Sequence, residues 1–415
     1  MARSGDRPQR YQKTIVNRQS KIVNLMTEPI IITDPDSDRY HTFSYISWWQ
    51  QEVVREATVM VVGAGALGNE VIKNLALMGI GNLLICDFDT IEDSNLSRSV
   101  LFRESDNGKR KVDAAAKAAK ELNPDVNVKA WHGDINAEMG LGVFRHVDVI
   151  VGCLDNREAR LSIDRFSQFI NRPWVDGAIQ ELMGIVRVFW PGRGANYEST
   201  LTDYDYQMIS LRYSCPILAR ENVLQGKVPT TPTSASIVAA FQTQEALKLI
   251  HKMEVEPGVA MLINGLTNDI YKTEYPVIED RLHPPLEPLI ELPNVNTNST
   301  TVNELLAIAK DKLGEETVLE FSYELVVSMV DPTTQEEEFF FKRMGKLSEA
   351  SLNATSNGVQ REMRLTHRIT GEEDFLDRTL AEIDVAPLDI IQARNGKETA
   401  YLEMTGDLDT FFQFD

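Results

Sequence analysis

"VMVVGAGALGNEVIKNLALMG", residues 59–79, sets an apolar run, three glycines and a helix-spaced run in that order. Val59 to Val62 are apolar and mostly β-branched, the character of a buried parallel strand. From Val71 onward the apolar residues recur at helical spacing. The glycines therefore lie at a strand-to-helix turn, the context that a phosphate-binding fingerprint requires. In such a turn Gly63 permits the tight bend, Gly65 lets backbone approach a phosphate, and Gly68 lets helix and strand pack closely. The helix start offers free N–H groups and a positive dipole end to an anion. A dinucleotide, ATP or no ligand at all is compatible with the turn by itself.

Outward from this turn, strands and helices alternate. "LLICD" (83–87) reads as the second strand, 111–122 as a helix stopped by Asn123 and Pro124, and "VNVKA" (126–130) as a short strand. "VDVIVGC" (147–153) is another strand, followed by a helix at 157–171, then by strands at 174–177 and 184–190. Such alternation predicts an α/β fold, a doubly wound, Rossmann-like and mostly parallel sheet. Upstream, "YISWWQQEVVR" (45–55) predicts a helix feeding the first strand, and residues 1–37 read as an arm. Residues 193–232 read as an irregular insertion before a long helix at 234–251. "PPLEP" (284–288) and "NVNTNST" (294–300) mark 284–300 as linker. Residues 301–415 mix a helix at 302–312 with β-rich segments such as "ELVVS" (324–328), which predicts a smaller C-terminal α+β domain.

The chain has 415 residues, 43% of them hydrophobic, enough for two or three domains and a large core. No run of 18 apolar residues is present, so no membrane partner is expected. The N-terminus lacks the apolar segment of a secretory signal. Three cysteines, Cys86, Cys153 and Cys215, are too few and scattered for a disulfide framework, which predicts a reducing, cytoplasmic setting. A formal charge of −20 argues against a nucleic-acid partner; solubility is the favoured reading of it and a basic protein partner the sharper alternative.

Asp87 ends the second strand, where an acid can accept hydrogen bonds from ribose hydroxyls. ATP and NAD share that ribose. "DFDTIEDSNLSR" (87–98) then brings Asn95 and Arg98, with Lys109, Arg110 and Lys111 beyond. A hydride-transfer enzyme does not need such a cluster, whereas a triphosphate whose pyrophosphate departs gains from fixed cations. Arg98 and Lys111 are the candidates. In "CLDN" (153–156), past the carboxyl end of a strand, Asp155 can hold Mg²⁺ by one carboxylate, and Asp155 or Asn156 can cap the helix that begins near Arg157; the acid and amide of the pair allow both.

The succession "GAGALG" (63–68), "DFD" (87–89), "NLSR" (95–98), Lys111, Asn123–Pro124 and "CLDN" resembles the ubiquitin-activating enzyme superfamily, including the ThiF/MoeB-type adenylyltransferases. The likeness runs over about residues 38–275, and the domain it belongs to is set at 38–283, with the crossover insertion at 193–232. It implies an adenylation domain that binds ATP and Mg²⁺ and acts as a homodimer. The partner it implies is a ubiquitin-like protein with a C-terminal glycine, whose carboxylate attacks the α-phosphate. It also implies that Gly63, Gly65, Ala66 and Gly68 form the nucleotide turn, that Asp87 holds the ribose, and that Asp89 makes a second polar contact. Asn95, Arg98 and Lys111 then hold phosphates, and Asp155 is linked to the metal. Two positions depart from the family pattern: Thr42 in "RYHT" (39–42) stands where an arginine is usual, and Ser99 follows Arg98 where glutamine is common.

Cys215, in "RYSCP" (212–216), lies in the crossover region where activating enzymes carry their catalytic cysteine. Arg212 and Arg220 would lower its pKa, and an ordinary thiol is the alternative. A thioester there would pass the partner to a conjugating enzyme. A sulfur-carrier adenylyltransferase or a non-catalytic scaffold is the rival reading. Residues 380–396 faintly resemble the end of a ubiquitin-like fold.

Overall fold

The computed structural model describes residues 39–206, 230–347, 355–356 and 359–414. The chain divides into two compact units, Met1–Gln51 and Glu52–Asp415. In the first, residues 41–45 form a 3₁₀ turn closed by Ser44 Oγ, which donates to the His41 carbonyl at 2.6 Å. The helix expected over 45–55 starts only at Gln51, as α1 (Gln51–Glu56). Ile46 is extended, and the Phe43 and Trp49 rings meet with centroids 4.8 Å apart, so the aromatic spacing closes a turn instead.

The second unit begins with an eight-stranded sheet. Its strands are β1 (Thr58–Val62), β2 (Asn82–Asp87), β3 (Asn127–His132), β4 (Val149–Gly152), β5 (Trp174–Gln180), β6 (Met183–Phe189), β7 (Val259–Asn264) and β8 (Asp269–Glu274). The order is β3-β2-β1-β4-β5-β6-β7-β8, parallel from β3 to β5 and antiparallel beyond. Connectivity reverses direction between β1 and β4, which opens the crevice where such sheets bind ligands. The helices of this part are α2 (Ala66–Met78), α3 (Asp93–Leu96), α4 (Lys111–Leu122), α5 (Leu141–Arg145), α6 (Arg157–Ile170) and α7 (Pro232–Ile250). Helix α2 packs between α4 and α7 on one face of the sheet. On the other face Val143 and Phe144 of α5 and Leu161 and Ile163 of α6 join Met60, Val62 and Leu84 in one core. The doubly wound expectation is met. The α5 turn and the β7–β8 hairpin went unread in the sequence.

A second sheet follows, from β9 (Leu289–Glu291), β10 (Val318–Val330), β11 (Glu337–Arg343), a hairpin of β12 (Thr355–Ser356) and β13 (Val359–Gln360) set apart from it, β14 (Glu362–Ile369), β15 (Ile390–Asn395) and β16 (Glu398–Glu403). Strand β9 lies inside the stretch read as linker and pairs in parallel with β16. Helix α8 (Val302–Leu313) is capped at both partners' expense of free N–H groups: Thr301 Oγ1 accepts from Glu304 N, and Glu304 Oε2 accepts from Thr301 N at 2.8 Å. Its buried Leu305, Leu306 and Ala309 share a core with Leu319, Ile391 and Leu402.

The two sheets are joined by packing and charge. Leu388 and Ile390 belong to the same core as Met60 and Phe144. The fully buried Glu403 accepts from Arg145 Nη1 at 2.7 Å and lies 2.8 Å from His146 Nε2. Gly142 N donates to the Leu388 carbonyl at 2.8 Å. Among the described residues no helix is long and apolar enough to cross a membrane.

Candidate functional site

The turn after β1 is built by close backbone approaches. Gly63 has a φ of +96°, a region that favours glycine, and a Cβ there would overlap the Cys153 carbonyl. A Cβ on Gly68 would overlap the Gly63 carbonyl, so α2 can start this near the strand only with glycine at 68. At Gly65, by contrast, nothing lies within 4 Å of a built Cβ. That open face, beside the first turn of α2 at Ala66, is where an anion would meet unpaired N–H groups.

Asp87 ends β2 and is drawn into the turn. Its Oδ2 accepts from Ala64 N at 2.7 Å and its Oδ1 from Asp89 N at 2.7 Å. Each oxygen retains a second lone pair for a ribose hydroxyl. Burial pushes the Asp87 carboxyl up, and Lys111 and the two backbone N–H groups pull it back only in part. Asp89 holds the Lys111 ammonium at 2.6 Å, at the start of α4. Asn95 caps its own short helix, its Oδ1 accepting from Glu92 N at 3.0 Å. The Arg98 guanidinium folds back to donate to the Ser94 carbonyl at 2.6 Å.

Asp155 stands past the end of β4, exposed, its Oδ1 accepting only from Asn156 Nδ2 at 3.3 Å among the described residues. The cap of α6 is Asn156, whose side chain accepts from Ala159 N at 2.8 Å. Of the Asp155–Asn156 pair, the amide therefore takes the cap. Asp155 keeps a carboxylate outside any ion pair among the described residues, the donor type that Mg²⁺ prefers. The structure thus gathers Gly63, Gly65, Ala66, Gly68, Asp87, Asp89, Lys111 and Asp155 along the carboxyl edges of β1, β2 and β4. Cys215 lies outside the described residues. Cys86 and Cys153 are buried, and burial raises both thiols well above their ordinary range.

Several residues of the site carried no readable signal. Arg160 is buried under the Asp155 loop. Its guanidinium donates to the Leu154 carbonyl, to Asn156 O and Gly177 O at 3.2 Å, and to Asp176 Oδ1 at 2.8 Å. Burial alone would push the Asp176 carboxyl up, but Arg187 and Arg160 beside it hold it below the usual range. Only the fold brings α6, β5 and β6 together there. An Arg160→Met protein is expected to lose about 3 kcal/mol of stability, since charged hydrogen bonds to three carbonyls go with it. The midpoint of urea unfolding measures this.

A second polar hub secures the start of the crossover. Glu198 receives Arg165 Nη2 at 2.9 Å, the Tyr206 hydroxyl at 2.6 Å and lies 2.8 Å from His283 Nε2. Burial opposes its charge, yet these three partners bring its carboxyl down to about 2. A depressed carboxyl stabilises the fold above its ordinary titration and loses that contribution as pH falls toward 2. A Glu198→Gln protein is therefore expected to melt below the native one at neutral pH. The gap should close as pH falls from about 4.5 to about 2, read by thermal melts across that range.

An open α/β sheet with a glycine turn at its switch point, an acid ending β2 and cations beyond defines the class of nucleotide-type sheets. The comparisons then identify the chain: residues 38–283 match the ThiF family, and the protein belongs to it. The molybdopterin-synthase adenylyltransferase of Haemophilus influenzae is 29% identical over 228 residues, 54% of this chain and 88% of that protein. SUMO-activating enzyme subunit 2 of Dictyostelium discoideum is 34% identical over 164 residues, 39% of this chain and 25% of that protein. Ubiquitin-like modifier-activating enzyme 5 of Bombyx mori is 30% identical over 212 residues, 48% of this chain and 52% of that protein. The chain thus spans a quarter to about half of these two activating enzymes. A crystal structure of E. coli MccB with AMPCPP and MccA has a similar fold, with a TM-score of 0.50 at 23% identity, over 59% of this chain and 73% of that one.

Proposed function

We propose that this protein is an ATP-dependent adenylyltransferase that activates the C-terminal carboxylate of a ubiquitin-like protein. The observation that supports the reading most directly is the joining of the glycine turn to Asp87 through Ala64 N, with Lys111 held beside it by Asp89. Ribose and phosphate groups would meet one rigid surface. In this reaction an oxygen of the partner's carboxylate forms a bond to the α-phosphorus of ATP. The bond from that phosphorus to the bridging oxygen breaks, and pyrophosphate leaves with the electron pair. Acyl-adenylate remains, and no side chain has to act as nucleophile. Asp87 orients the ribose, Gly65 admits the phosphate, and Asn95, Arg98 and Lys111 offset the charge gained by pyrophosphate. Mg²⁺ bound through Asp155 would supply further neutralisation of the phosphates.

On this reading residues 38–283 form the adenylation domain and 301–415 a small domain docked beside it. A homodimer, Cys215 as thioester acceptor and a conjugating enzyme complete the proposal. A sulfur-carrier adenylyltransferase, ending at the adenylate or thiocarboxylate, is the second reading. It is favoured by the match that covers 88% of the Haemophilus influenzae adenylyltransferase and 54% of this chain. The test incubates the protein with ATP, Mg²⁺ and candidate diglycine-tailed proteins, followed by pyrophosphate exchange, non-reducing gels and mass spectrometry. Exchange with a dithiothreitol-sensitive adduct that Cys215→Ala abolishes supports the first reading. Exchange without an adduct supports the second. No exchange with any partner leaves a nucleotide- or partner-binding scaffold.

A further inference from the structure

The glycine turn and the Arg98 segment lie 30 residues apart in sequence, and one buried amide ties them together. Asn69, in the first turns of α2, is fully buried. Its Nδ2 donates to the Ala64 carbonyl at 2.7 Å and to the Gly65 carbonyl at 3.0 Å. Its Oδ1 accepts from Leu101 N at 2.9 Å. Both amide hydrogens are used on the turn, and the oxygen is used on the other segment. A flipped amide would set its NH₂ against the Leu101 N–H, so the orientation is fixed.

Leu101 belongs to a tight run of turns. Asn95 N donates to the Glu92 carbonyl at 2.8 Å, Arg98 N to the Asn95 carbonyl at 3.1 Å, and Phe102 N to the Ser99 carbonyl at 3.3 Å. Ser99 is buried within the run. A shift of Leu101 therefore carries Arg98 with it. We propose that Asn69 is a positioning residue: it sets the spacing between the glycine turn and Arg98, so that the two act together on a polyphosphate. The proposal rests on the ATP reading of the pocket. It extends that reading by naming what aligns its two anion-holding parts. On that reading a triphosphate would span both parts, whereas AMP would reach only the turn.

The test compares native protein with Asn69→Ala in two measurements. Calorimetry with ATP–Mg²⁺ and with AMP reads the alignment. ATP affinity is expected to fall about tenfold, equivalent to one lost charge-assisted contact, while AMP affinity changes less than about twofold. Hydrogen exchange resolved to single amides reads the tie itself. The Leu101 amide is expected to exchange at least about tenfold faster, with Val61 in β1 unchanged. Equal weakening of ATP and AMP, or unchanged protection at Leu101, overturns the proposal. If the native protein takes up neither nucleotide, the ATP reading fails, and Leu101 exchange still decides whether Asn69 holds the two segments together. Asn69→Ser, which leaves a smaller void, carries the same expectations should the alanine variant unfold.

Discussion

An Arg98→Ala protein is expected to exchange pyrophosphate into ATP about 10²- to 10³-fold more slowly than the native chain, the usual cost of removing one fixed donor from developing charge. The effect should fall on the maximal rate more than on the apparent affinity for ATP, because the leaving pyrophosphate gains charge only as the bond breaks. Arg98 donates to Ser94 O at 2.6 Å, a contact that costs little to exchange for a phosphate oxygen. Steady-state exchange with a diglycine-tailed partner measures both quantities. A rate within threefold of native would remove Arg98 from the chemistry.

The second large effect concerns the turn itself and comes as a contrast between two glycines. Gly68→Ala is expected to destabilise the protein by about 3 kcal/mol or more, because the added carbon overlaps the Gly63 carbonyl and backbone must move. Gly65→Ala meets nothing within 4 Å and is expected to leave the melting temperature nearly unchanged. Yet it should weaken ATP binding strongly, since its methyl group takes the space of an approaching phosphate. Thermal melts and calorimetry with ATP–Mg²⁺ separate the two. A Gly65→Ala protein that binds ATP as well as native would show that the open face of the turn is not the phosphate seat. NADH binding tightly alongside indifference to ATP–Mg²⁺ would set aside the adenylation reading as a whole.

What the residues disclosed in advance was local. The β1–turn–α2 unit is legible because an apolar strand, three glycines and a 3.6-residue period follow one another within about 20 positions. Asp87 was legible as the residue that ends a strand, and Asp155 as a residue just past the end of one. Helix α7 appears as Pro232–Ile250, close to the expected 234–251, with Thr231 capping it. The failures share a cause. Tyr45 to Trp49 has helical spacing, but aromatic packing closes a turn there. Residues 284–300 have the composition of a linker, but Leu289–Glu291 finds an open edge on β16, more than 100 residues downstream.

The alternation of β1 to β5 with their helices, the glycine turn and membership of a doubly wound sheet follow from sequence alone, because each is encoded by neighbours along the chain. Tertiary structure alone decided that Arg160 braces the Asp155 loop and that Asn69 bridges the turn to Leu101. Each of these depends on which polar groups are buried beside one another. A buried donor or acceptor must find its partner wherever the fold brings one within reach, and that distance in space is not written in any local pattern.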